Sequence, residues 1–72
     1  MLFRLGQKVR QKTVMYHSLK NLIGTIVKLP TPDENYYYTE FLMPQLMNEP
    51  QTWYFNENDL IADTKFQYGY NI

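Results

Sequence analysis

The chain of 72 residues contains no cysteine, one histidine (His17) and one serine (Ser18). Without cysteine no disulfide braces the fold and no thiolate holds zinc, and one imidazole is too few for an ordinary structural zinc site. No stretch approaches the roughly 20 apolar residues of a membrane span, and the N-terminus lacks the apolar run of a secretory leader. The expectation is a soluble, cytoplasmic protein with no membrane partner. No segment of useful length repeats its apolar residues at helical spacing. Acids are absent from the first 32 residues: Arg4, Lys8, Arg10, Lys12, Lys20 and Lys28 all precede Asp33. The acids then follow as Asp33, Glu34, Glu40, Glu49, Glu57, Asp59 and Asp63, with Lys65 the one later base, so the formal net charge is 0. A neutral chain exerts little long-range pull on nucleic acid.

What the chain has in quantity is aromatic side chains, 17% of its residues. One domain of this length buries only about 60% of its unfolded surface, and rings supply large buried areas per side chain. Tyr, Phe, Trp, Val, Ile and Thr also favour strands over helices. Five strands are expected. Gly6 turns the chain into Gln7–Lys12, where Val9 faces one way and Lys8, Arg10 and Lys12 the other, the pattern of a barrel edge. Thr13–Asn21 reads as a long first loop. Leu22–Leu29 is the clearest strand, and Gly24 within it marks a bulge or a close approach of another segment. Pro30–Asn35 is a turn. Tyr36–Met43 follows, with Tyr37, Thr39, Phe41 and Met43 placed inward because that face carries no charge. Pro44–Pro50 reads as a loop, and Gln51–Phe55 as a strand sending Trp53 and Phe55 inward and Tyr54 outward. Asn56–Asp59 suits a single 3₁₀ turn, after which Leu60 enters the core and Ile61–Ala62 makes a brief last strand. The barrel spans residues 1–63. The remainder, 64–72, alternates Phe66, Tyr68, Tyr70 and Ile72 with polar residues or glycine, as an added strand would.

Chemistry-bearing groups are sparse. His17 and Ser18 are adjacent, and neighbours in a chain usually point apart, whereas a nucleophile and its base must meet within hydrogen-bond reach; the plainer reading is an exposed loop. Asn56–Asp59 lacks the spacing and the glycine of a calcium loop, and side-chain to backbone bonds within a turn explain it. Neither a metal, a cofactor nor a small-molecule substrate is expected. Alternate residues on a strand lie roughly 7 Å apart, so Lys8, Arg10 and Lys12 form a stripe able to follow phosphates, with Tyr16 and Lys20 nearby for stacking and charge. The plainer reading is a lysine-guarded edge that resists aggregation. Tyr36, Tyr38 and Tyr54 form an outward tyrosine surface, and tyrosine is enriched at binding hot spots; outward tyrosines are also ordinary strand formers. The tail is read as part of an interface through Phe66, Tyr68 and Tyr70, by strand addition to its own sheet or a partner's.

The segments Gly6–Gln7–Lys8–Val9–Arg10, Ile23–Gly24–Thr25–Ile26–Val27, Tyr38–Thr39–Glu40–Phe41 and the closing Phe55-x-Glu57-x-Asp59–Leu60, in this order, resemble the SH3-like small β-barrel superfamily over roughly Leu5–Asp63. The resemblance implies an all-β, five-stranded SH3-like barrel with a 3₁₀ turn before the last strand and a C-terminal extension. Two branches share these features. One is the KOW and Tudor-like readers of nucleic acid or peptide. The other is the accessory subunits of photosynthetic complexes, such as the photosystem I PsaE subunit and the variable chain of ferredoxin–thioredoxin reductase; that branch would imply the plastid stroma. The aromatic and acidic signature of proline-binding SH3 domains is missing.

Two functional expectations follow. The first is a non-enzymatic interaction module, an accessory or regulatory subunit docking on a larger protein through Tyr16, Tyr36, Tyr38, Tyr54, Phe66, Tyr68 and Tyr70. The second is a nucleic-acid-binding barrel using Lys8, Arg10, Lys12, Tyr16 and Lys20.

Overall fold

The computed structural model describes residues 2–63. The expectation of an added strand over 64–72, with Phe66, Tyr68 and Tyr70 at an interface, lies outside the described residues. Five strands form: β1 (Lys8–Gln11), β2 (Gly24–Lys28), β3 (Tyr37–Met43), β4 (Glu49–Phe55) and β5 (Leu60–Ala62). Three 3₁₀ turns punctuate them, at His17–Leu19, Pro44–Leu46 and Glu57–Asp59. All pairings are antiparallel and the strand order is β4-β3-β2-β1-β5. The fold is all-β, as expected.

The inner face is built by period-two alternation. Tyr37, Thr39, Phe41 and Met43 of β3 are all buried, and they meet Val9, Ile26, Phe55 and Leu60 from the other four strands. Each fully buried side chain of this kind contributes about 1.5–3 kcal/mol of transfer free energy. Gly24 sits where inner-face side chains of β3 cover the backbone of β2. A Cβ added there would stand 2.6 Å from the Thr39 methyl and 2.7 Å from the Phe41 ring. The register also shifts between Ile26 and Lys28, so Val27 is the bulged residue and turns outward. A close approach and a bulge thus both occur in β2, at different residues.

Several expectations are corrected. β1 is not an edge: β2 and β5 flank it, with Val9 paired to Gly24 on one side and Ala62 on the other. Its outward cations therefore mark a solvent face, not an open edge. β2 begins at Gly24, leaving Ile23 outside the strand and exposed. β4 begins at Glu49 and so takes in Pro50, opposite Leu42. Proline is tolerated there because β4 lies at the end of the sheet, where a missing N–H on the outer side breaks no ladder bond. Finally, the sheet is open and not closed. The turn at Glu57–Asp59 carries the chain from the β4 edge to β1, so β5 pairs with β1 and not with β4.

Side-chain hydrogen bonds, local and long-range, tie down the loops. The Gln11 side-chain amide accepts from the Tyr16 N–H at 2.8 Å and donates to the Tyr16 carbonyl at 3.2 Å, so it clamps the long first loop to β1. Leu19, 1% exposed, pins the far side of that loop into the core. Glu57 reaches out of its turn: Oε1 accepts from the Leu2 N–H at 2.8 Å and from the Tyr37 hydroxyl at 3.1 Å. No side-chain cap closes this turn, so the expected local bonds within Asn56–Asp59 give way to a bond across the fold.

Candidate functional site

Outward-facing residues of β3 and β4 assemble the most distinctive surface. Tyr38 and Tyr54 are cross-strand partners, and their rings lie 4.4 Å apart with planes tilted by 32°. Lys28 Nζ stands 4.8 Å from the centre of the Tyr38 ring, a cation over an aromatic face. The Tyr38 hydroxyl donates to Glu34 Oε1, and the Lys28 ammonium lies 4.0 Å from the same carboxylate oxygen. The hydrogen bond to Glu34 pushes the Tyr38 phenol up to about 12, because ionising it would place two negative charges together. Tyr36, just before β3, is exposed as well.

Toward the β3–β4 hairpin the surface becomes aliphatic. Leu42 is 55% exposed opposite Pro50, and Leu46 and Met47 extend the patch over the connecting loop. Met47 is 93% exposed and adopts a left-handed backbone with φ +57°, an uncommon state for a residue other than glycine or asparagine. The sequence expected the tyrosines; it did not single out Leu42 or Met47. The signal that would have found Leu42 is its even position in β3, in phase with Tyr38.

Tyr16 is placed elsewhere. Its ring lies 4.8 Å from that of Trp53 and 5.8 Å from that of Phe55, on the inner-face side of β4. It therefore lies on the other side of the sheet from Tyr38 and Tyr54, whose side chains leave the outer face.

The basic residues divide into two groups. Lys8 Nζ bonds Thr25 Oγ1 at 2.6 Å across the β1–β2 pair. Arg10, Lys12 and Lys20 instead line one concavity of about 170 Å³, between the end of β1 and the turn at His17–Leu19. Tyr16 is not among its lining residues. A second, broader concavity of about 460 Å³ is polar, bounded by Pro30, Asn35, Tyr37 and the Asn56–Asp59 turn. Within it Glu57 is held below the ordinary carboxylate range, first by the Leu2 N–H and then by the Tyr37 hydroxyl, against a smaller opposing effect of desolvation. Burial, chiefly, raises the Tyr37 phenol. Among the described residues no group of three or more His, Cys, Asp or Glu converges in a way that would hold a metal ion. His17 and Ser18 are both exposed on their turn. No helix among the described residues is long and apolar enough to cross a membrane.

Comparison with protein-family models, with characterised proteins and with solved structures returns no match for this chain.

Proposed function

We propose that this protein is a non-enzymatic docking module, an accessory or regulatory subunit built on an SH3-like barrel, which seats on a larger protein through the outer face of β3 and β4. The observation that carries this reading is the Tyr38–Tyr54 pair with Lys28 over the Tyr38 ring, Tyr36 exposed just before β3 and Leu42 exposed farther along the same face, beyond Glu40. Paired tyrosines offer large contact area with little rotamer entropy to lose, and their mutual contact holds them ready before a partner arrives. The assignment to SH3-like barrels is supported by the strand order and by the 3₁₀ turn that links β4 to β5.

A second reading, a nucleic-acid-binding barrel, is favoured by one observation: Arg10, Lys12 and Lys20 share a concavity that no described carboxylate lines. Against it stands the location of Tyr16, against Trp53 and not beside the cations.

The test is affinity capture from native extract, with nuclease treatment, comparing the wild type with Tyr54→Ser, Leu42→Gln and the double variant Lys12→Gln/Lys20→Gln. Docking through β3–β4 predicts a nuclease-resistant partner that the first two variants lose and the basic variant keeps. A partner that vanishes with nuclease, or that survives both surface substitutions, overturns the reading. Salt gives an independent check, since phosphate-backbone binding weakens steeply as counterions are released and an aromatic contact responds far less.

A further inference from the structure

The concavity at the end of β1 supports an assignment separate from the docking face. We propose that Arg10, Lys12 and Lys20 form a receptor for the terminal phosphate of a small phosphate monoester. Three cations line a space of about 170 Å³, and no described carboxylate lines it with them. None of the three makes an ion pair with another described residue. Gathering three like charges raises the energy of the folded chain unless an anion relieves their repulsion.

The frame around these side chains is rigid. The pair of hydrogen bonds between the Gln11 side-chain amide and the Tyr16 backbone fixes the start of the loop directly beyond Lys12 and Thr13. On the other side, Leu19 is buried, the Lys20 N–H bonds the His17 carbonyl at 3.1 Å, and the Leu22 N–H bonds the Leu19 carbonyl at 3.0 Å. Lys20 lines the concavity together with its neighbours Leu19, Asn21 and Leu22. A site held open before binding loses less freedom on binding.

Size and charge select the ligand class. Pockets for whole drug-sized ligands run from about 300 to 1,000 Å³, so this one admits a single anionic head with the rest of the molecule outside. A phosphate monoester carries close to two negative charges near neutral pH and three terminal oxygens, a better complement to three cationic lining residues than a carboxylate with one charge and two oxygens. A phosphodiester backbone would need a line of cations. Lys8, which would extend that line along β1, has its ammonium on Thr25 Oγ1.

The experiment is a titration of the ¹⁵N-labelled full chain at constant ionic strength, following backbone amide shifts. The probes are phenyl phosphate, inorganic phosphate, dimethyl phosphate, acetate and a single-stranded oligonucleotide without terminal phosphates. Phenyl phosphate and inorganic phosphate are expected to give saturable shifts confined to residues 10–13 and 19–22, with dimethyl phosphate and acetate at least about tenfold weaker, as the loss of a charge-assisted contact implies. Lys12→Gln and Lys20→Gln should each weaken phenyl phosphate about tenfold, while Lys12→Arg and Lys28→Gln retain it. These are surface residues, so an unchanged spectrum away from the site verifies the fold of each variant. Shifts that fail to saturate, spread over the whole surface, or appear equally with dimethyl phosphate overturn the proposal. So does tighter binding of the oligonucleotide at the same amides, which would transfer the site to the nucleic-acid reading.

Discussion

Replacing Gly24 with alanine puts the packing of the inner face to a quantitative test. Two effects oppose each other. Alanine restricts the unfolded chain, which stabilises by about 0.4–1 kcal/mol where the native backbone accepts it. Its Cβ, however, would lie 2.6 Å from the Thr39 methyl and 2.7 and 2.8 Å from two atoms of the Phe41 ring. Ordinary carbon contacts begin near 3.5 Å, so these neighbours must retreat by most of an ångström. Neither is a flexible tip: Thr39 and Phe41 are both 0% exposed. Overpacking of this kind costs about 1–3 kcal/mol, and the steric effect outweighs the entropic one. We expect Gly24→Ala to destabilise by about 2 kcal/mol, lowering the urea midpoint by about 2 M at the slope of about 1 kcal/mol/M usual for small domains. Fluorescence of Trp53, the single tryptophan, reports the transition. A double-mutant cycle with Thr39→Ser, which deletes the clashing methyl, should show favourable coupling of about 1 kcal/mol. Rescue stays partial because Phe41 remains in place. A Gly24→Ala protein as stable as the wild type, or a cycle without coupling, would refute the close approach of β2 to β3.

Three further outcomes are expected. Thr39 Oγ1 is buried with no hydrogen-bond partner, so Thr39→Val should raise stability by about 1 kcal/mol; a loss measured by urea denaturation would show that the hydroxyl is satisfied in solution. Because Glu57 titrates below its unfolded value, its contribution is complete above the ordinary carboxylate range and disappears as pH falls through the lowered folded value. Stability curves of Glu57→Gln and wild type should therefore converge on acidification, and parallel curves would refute the Leu2 and Tyr37 contacts. Tyr38, raised to about 12, should ionise well above the ordinary tyrosine value in an ultraviolet titration. The stability it lends is complete below the ordinary tyrosine value and is lost as pH rises toward 12. Glu34→Gln should lower this ionisation, and an unchanged titration curve would contradict the hydrogen bond.

Much of the sheet was legible from period-two patterning because burial is one-sided. In β3 the absence of charge at Tyr37, Thr39, Phe41 and Met43 sufficed to orient the strand, and Glu40 on the other phase agreed. The 3₁₀ turn and the return of Leu60 to the core were equally readable. What escaped reading depends on partners remote in sequence. Outward cations look alike on an edge strand and on an interior strand with one wet face, so nothing local revealed that β5 flanks β1. Pro50 reads as a breaker until the strand is known to lie at the end of the sheet. The sequence also grouped Tyr16 with the cations by proximity, whereas the Gln11 clamp folds the loop back and delivers that ring to Trp53 and Phe55. The shared lining of one concavity by Lys20, Arg10 and Lys12 depends on the same loop return.

The placement of β1 between β2 and β5 has a consequence for how the chain reaches its fold. β2, β3 and β4 form a meander whose pairings can assemble locally. The pairs Val9–Ala62 and Gln11–Leu60, by contrast, join opposite ends of the described chain. Such distant pairings must meet the entropy of loop closure before any contact compensates it. Closing β1 against β5 thus carries the largest loop-closure cost in the sheet, and φ-values at Val9 and Leu60 are expected to be lower than at Phe41 and Phe55 of the aromatic-rich centre.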